Sequence, residues 1–126
     1  MRRSTTQLAI TLAGVLALVA TTVLPLQPVF GEGGARRDVV RQEEQNLKDA
    51  LEHAKEAVDH GKQGHAEVLV THAERSLNYA ERGGKNPHLV EGIKHLKEAI
   101  EHGKAGHAAD ATTHAETGLA HLTEAK

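Results

Sequence analysis

Cysteine is absent from this 126-residue chain, tryptophan is absent too, and there are only one tyrosine, one phenylalanine, one methionine and three prolines. Each scarcity removes a class of chemistry. Without cysteine there are no disulfides, zinc fingers, thiol-redox centres or cysteine nucleophiles. With Met1 as the sole methionine there is no thioether site for Cu(I). The near-absence of aromatics and the formal net charge of −2 argue against a nucleic-acid surface. What remains for metal chemistry is imidazole and carboxylate, and the chain carries ten histidines, all after residue 50.

The first three dozen residues are unlike the rest. Arg2 and Arg3 precede an uncharged apolar run from Leu8 to Val19, followed by Pro25, Pro28, Phe30 and Gly31; the first acidic residue is Glu32. This is the pattern of a secretory signal peptide over residues 1–31, with cleavage expected after Gly31 and Ala20 as the competing position. The alternative is an uncleaved N-terminal anchor, since Leu8 to Leu26 is almost long enough to span a bilayer. Export by the general route implies a periplasmic protein whose mature part is residues 32–126. Cleavage removes two of the 15 basic residues and none of the 17 acids, leaving a more acidic chain.

Residues 47–81 align without gaps to residues 89–123, at an offset of 42. His60-Gly61-Lys62-Gln63-Gly64-His65-Ala66 matches His102-Gly103-Lys104-Ala105-Gly106-His107-Ala108, and Thr71-His72-Ala73-Glu74 matches Thr113-His114-Ala115-Glu116. Such self-similarity implies duplication of one unit. Each unit reads as helix, tight turn, helix. Leu47, Leu51, Ala54 and Val58 form one apolar stripe, repeated by Leu89, Ile93, Leu96 and Ile100. Ala66, Leu69, Ala73, Leu77 and Ala80 form the facing stripe, repeated by Ala108, Ala111, Ala115, Leu119 and Leu122. Gly61 with Gly64, and Gly103 with Gly106, are expected to stop a helix and turn the corner. Gly83-Gly84-Lys85-Asn86-Pro87 supplies a C-cap, a link, an N-cap and a first-turn proline, and Asp38 is a candidate cap for the first helix. Short connections make neighbours antiparallel, so the expected fold is all-α: an up-down antiparallel four-helix bundle built from two duplicated helical hairpins.

The histidines recur every seven residues: His53 and His60; His65 and His72; His88, His95 and His102; His107, His114 and His121. Seven residues is nearly two turns, so each set forms a stripe, well over 90° from its apolar face at about 100° per residue. Neighbours within a stripe lie about 10.5 Å apart along the axis, too far to share an ion with bonds near 2.0–2.1 Å. Across a hairpin the register is better. Residues equally far from the turn stand level, which pairs His60 with His65, His53 with His72, His102 with His107, His95 with His114, and His88 with His121. All ten histidines are used. The sixth rung holds Asn46 and Tyr79, with Tyr79 read as a boundary packing residue. The stripes face either toward a shared groove or away from it, and periodicity leaves both open. Acids four residues before several histidines supply further ligands or orient rings: Asp49, Glu56, Glu91, Glu98 and Asp110, of which Glu56, Glu98 and Asp110 are the ligand candidates.

Catalytic look-alikes fail on geometry. His-Ala-Glu at His65, His72 and His114 places the two side chains roughly 200° apart on a helix, without the Cys-x-x-Cys partner of a deaminase. There is no His-Glu-x-x-His, no serine elbow and no inward Glu-x-x-His pattern of a di-iron bundle. The Gly-Lys-x-Gly corners follow no strand and read as turns. The expected role is therefore non-enzymatic binding and sequestration of divalent metal ions. Nitrogen and oxygen ligands with open water positions suit Cu(II) first, then Ni(II) or Zn(II). The alternative is a structural or interaction module whose histidines confer pH sensitivity. Metal ions are the expected partners, and a monomer the expected state, with no nucleic acid and no stable membrane association after cleavage.

The heptad histidines, the His-Gly-Lys-x-Gly-His-Ala corners and Asn86-Pro87-His88-Leu89 resemble the small metal-binding protein (SmbP) family, over roughly residues 46–126. The resemblance implies an exported periplasmic four-helix bundle, a preference for Cu(II), several sites per chain and a scavenging role. Here there are fewer histidines than in the family's most His-dense members.

Overall fold

The computed structural model describes residues 31–126, with side chains from residue 33 onward. The expected signal peptide or anchor, with its cleavage positions, lies outside the described residues except for Gly31. Four helices follow in order: α1 Gly31–Lys62, α2 Ala66–Ala80, α3 Pro87–Lys104 and α4 Ala108–Glu124. None is long and apolar enough to cross a membrane. The all-α four-helix architecture is as expected. Consecutive helices pack side by side and α1 closes the ring on α4; across the diagonals α2 touches α4, whereas α1 and α3 do not meet.

Two expectations about helix ends are corrected. Asp38 does not cap α1, whose described residues are already helical from Gly31. No proline interrupts residues 31–38, and Gly33 and Gly34 meet no neighbouring atoms, so their cost is propensity alone, about 1 kcal/mol each. Asp38 instead faces Arg41, one turn on, at 3.5 Å. Nor does Gly61 stop α1. The stop is Gly64, at φ +76°, and its counterpart Gly106, at φ +80°. Each corner is a Schellman motif: His65 N–H donates to the His60 carbonyl at 3.0 Å and Gly64 N–H to Gly61 at 2.9 Å, while His107 donates to His102 at 2.9 Å and Gly106 to Gly103 at 3.0 Å. The same backbone bonds that reverse the chain thus fix the outermost imidazole pair of each hairpin. The N-cap at Asn86 is as expected: its side chain accepts from His88 N–H at 2.9 Å, with Pro87 opening α3.

Gly61 and Gly103 are buried where the two hairpins cross. A Cβ on Gly103 would collide with Val70 Cγ2, and one on Gly61 with Thr112 Oγ1 and Leu69 Cδ1. Val70 and Thr112 stand 42 positions apart, as do the glycines. Flanking ion pairs obey the same offset, Lys62–Glu116 at 2.9 Å and Lys104–Glu74 at 2.7 Å. Around these crossings lie the fully buried Leu69, Leu89, Leu96 and Leu122, with Ala50, Ala54, Ala57, Ala73, Ala80, Ala99, Ala111 and Ala115. An alanine-rich core buries little apolar area per residue, but it lets the backbones come close.

That closeness sets the spacing inside each hairpin. Gly92 of α3 lies against Gly118 of α4, where a Cβ on Gly118 would be 3.3 Å from the Gly92 carbonyl and 3.5 Å from His95 Cβ. At the matching place in the first hairpin the buried Ser76 hydroxyl donates to the Ala50 carbonyl at 2.7 Å. Both close approaches sit beside an imidazole rung, His95/His114 and His53/His72 respectively.

Candidate metal centre

The stripes turn inward to a groove shared by the two helices of each hairpin. All five level pairs meet: ring centroids are 5.9 Å apart for His60/His65, 5.7 Å for His53/His72, 6.1 Å for His102/His107, 5.7 Å for His95/His114 and 6.4 Å for His88/His121. Successive rungs also touch diagonally. His60 stacks on His72 at 5.3 Å, His102 on His114 at 5.1 Å and His95 on His121 at 5.6 Å. The result is a continuous column of imidazoles along each hairpin, extended in the first by Tyr79, which stacks on His53 at 5.7 Å.

Four rungs have a carboxylate, giving three-donor groups: His53/His72/Glu56, His95/His114/Glu98, His88/His121/Glu124 and His102/His107/Asp110. In the first, Glu56 Oε2 lies 2.9 Å from His53 Nδ1 and 2.7 Å from His72 Nδ1, and the two nitrogens are 3.5 Å apart. In the second, Glu98 Oε2 lies 2.9 Å from His95 Nδ1 and 3.0 Å from His114 Nδ1, with 3.4 Å between the nitrogens. Three donors bonded to one ion at 2.0–2.1 Å stand about 3 Å apart, which is the spacing found. Glu98 Oε2 is buried yet makes no hydrogen bond despite those short distances, so the ring N–H groups are not aimed at it. Two imidazole nitrogens and an unpartnered carboxylate oxygen around a common point suit an ion at that point. The looser third group has Glu124 Oε2 2.9 Å from His88 Nδ1 and 4.0 Å from His121 Nδ1, the latter buried without a partner.

Ten candidate histidines therefore fall into place as pairs, but the carboxylates differ from expectation. Glu56 and Glu98 do not serve the histidine four residues later; each serves the rung of the histidine three residues earlier. Asp110 joins His102 and His107, not His114. Glu124, three residues after His121, is a further candidate that the four-before rule passed over. An acid at the third position after a histidine marks all four, and also Glu91 after His88, which joins no three-donor group. Asp49, set aside by that rule, accepts from Gln45 Nε2 at 2.8 Å. His60 and His65 belong to no three-donor group. The position matching Asp110 is Val68, exposed and without a ligand atom. In the sixth rung, Asn46 is buried and donates to the Arg82 carbonyl at 2.9 Å, closing the end of α2.

The Glu56 carboxyl titrates below the usual carboxylate range. Its hydrogen bond to His53 is the largest cause; partial burial opposes it, and the positive charge of protonated His72 adds to the lowering. A carboxyl whose folded pKa is depressed contributes stability above its unfolded value, about 4.3, and that contribution disappears as pH falls through the lower folded value. Metal-free Glu56→Gln should thus be slightly less stable than the wild type near pH 5, with the gap narrower at pH 3. Because the side chain is 43% exposed, the effect is small. Urea midpoints at the two pH values check it, and a gap that widens on acidification would contradict it.

The sequence model of a family described as small metal-binding protein matches residues 9–125. Among curated proteins no match is found.

Proposed function

This chain belongs to the small metal-binding protein family, and from that premise we propose that it is a non-enzymatic buffer for divalent transition-metal ions, chiefly Cu(II), acting in the periplasm. Metal binding is the property of the family. The narrower reading is supported by one observation above the others: two imidazole nitrogens and one carboxylate oxygen, about 3 Å apart, recur at the equivalent rung of each hairpin's groove. Such a set leaves coordination positions for water and favours Cu(II) over Ni(II) and Zn(II) in intrinsic affinity. Repetition of small, solvent-accessible sites favours capacity, which suits sequestration. The apolar run at residues 8–19 supports export.

Calorimetric titration with Cu(II) should give about four tightly held ions per chain, one for each three-donor group. The single tyrosine offers a site-resolved readout. Tyr79 stacks on His53 and touches only the first hairpin's column. Cu(II) at His53/His72/Glu56 should quench its fluorescence, while Zn(II), a closed-shell ion, should not. Glu56→Ala should shift the quenching to at least about tenfold higher Cu(II), and Glu98→Ala should leave it in place. Equal sensitivity to both substitutions would contradict the assignment of separate sites. Acidification should release the ions, since proton and metal compete for each nitrogen.

A further inference from the structure

Beside the His53 rung lies an open groove of about 590 Å³, which shares only His53 with the metal sites. Its volume is within the range of about 300–1,000 Å³ common to small-molecule sites. Thr71, Arg75, Asn78 and Tyr79 line it from α2, Arg82 from the turn just beyond it, and His53 closes it from α1. Its charge is the reverse of the metal sites. Forty-two positions later, Arg75 corresponds to Thr117, Asn78 to Ala120, Tyr79 to His121 and Arg82 to Glu124. Where the second hairpin has a third cation site, the first has two guanidinium groups, an amide and a phenol.

The nearby acids are committed elsewhere. Glu74, on the groove's edge, pairs with Lys104 at 2.7 Å, and Glu81 pairs with Lys97 at 3.3 Å. Among the described residues Arg75 makes no ion pair, and the Arg82 guanidinium makes no ion pair either, its hydrogen bond going to the neutral Asn78 side chain. Guanidinium groups with unused donors are suited to carboxylate and phosphate oxygens. Arg75 and Arg82 are seven residues apart, Arg82 two residues past the end of α2, a separation of about 10 Å at the helical rise, so a ligand with several anionic groups can engage both where a compact anion reaches one. His53 is common to the groove and to the adjacent metal site, whose three protein donors leave coordination positions open.

We propose that this groove binds a small polycarboxylate, held by Arg75 and Arg82, whose free carboxylate completes the coordination of the ion at His53/His72/Glu56. The anion site stands on the groove alone; the joint complex rests on the metal-binding reading. The first hairpin then takes up metal together with an organic anion, while the second binds bare ions.

Citrate titrated by calorimetry into the metal-free protein is the test, beside R75A/R82A and with inorganic phosphate as comparison. Circular dichroism first establishes that the variant keeps its helicity. Citrate should bind the wild type at one site and at least about tenfold more weakly to the variant. The number of Cu(II) ions bound without citrate should be equal in both. At fixed free Cu(II) activity, citrate should move Tyr79 quenching in the wild type to lower Cu(II), and should give no such gain in the variant. Arginine-independent citrate binding, or binding of phosphate but not citrate, overturns the anion site. Citrate binding without a shift in quenching overturns the joint complex. Loss of Cu(II) binding altogether refutes the metal reading and leaves the metal-free citrate result to be judged alone.

Discussion

Replacing His95 and His114 together with alanine should lower the Cu(II) bound per chain by about one ion and weaken the sites on either side of the gap. The pair occupies the middle rung of the second hairpin, where two nitrogens and Glu98 Oε2 stand 2.9–3.4 Å apart. Glu98 alone cannot hold an ion at low concentration. The flanking rungs lose their stacking partners, since His102 packs on His114 and His121 on His95 with nearly parallel rings, 6° and 3° apart. Aromatic pairs of this kind contribute about 0.5–1.5 kcal/mol, so the neighbouring sites should weaken by roughly twofold to tenfold. The matched control is His60→Ala with His65→Ala. That rung has no carboxylate, and its loss should leave the number of tightly held ions unchanged. Calorimetric titration of both double variants near neutral pH decides the matter. Unaltered stoichiometry in the first, or equal losses in the two, would mean that the level pairs are not the binding units.

The second large effect lies away from any ligand. Gly103→Val places a branched side chain where even a single Cβ would overlap Val70 Cγ2 and come within 3.5 Å of the Ala66 carbonyl. Relief requires α2 and α3 to separate, opening a thin core of leucine and alanine. Overpacking of this kind costs about 1–3 kcal/mol, and the small gain in helix propensity over glycine does not offset it. In a domain of this size each kcal/mol lowers Tm by about 4–8 °C, so a fall of roughly 10–15 °C is expected. Cu(II) should recover part of it, because an ion bound only by the folded state stabilises by about 2.7 kcal/mol at a hundred times its Kd. The recovery should be incomplete. Each three-donor group joins α1 to α2 or α3 to α4, and none crosses the seam that valine opens. Thermal melts with and without Cu(II) measure both parts. An unchanged melting temperature for the metal-free variant would show that the hairpins do not meet at Gly103.

Much of this was legible in the sequence because the turn determines the register. Once the corners are placed at Gly64 and Gly106, every level pair follows by counting, and all five pairs are in contact. The apolar stripes were legible for the same reason, though Ala50, Ala57 and Ala99 join the core outside them. The direction of the histidine flanks was not legible, since it depends on how each hairpin is twisted together, which spacing alone leaves open. The choice of carboxylate went the other way for a local reason. Helical side chains lean toward the N-terminus, so an acid three residues after a histidine reaches back over it, whereas one four residues before leans away. That lean takes Glu56 to His53 and leaves Asp49 with Gln45. The roles of Gly61 and Gly103 required the partner hairpin, because a glycine near a turn reads as a stop until its neighbour across the seam is known.

The central claim is that one ion sits between level imidazoles of neighbouring antiparallel helices. Anomalous diffraction from crystals of the Cu(II)-loaded protein, collected at the copper edge, tests it most directly. Four strong peaks are expected, each about 2 Å from two imidazole nitrogens of one level pair and from one of Glu56, Glu98, Asp110 or Glu124. Peaks bound within a single helix, at the seam between hairpins, or absent from the His95/His114 rung would contradict it.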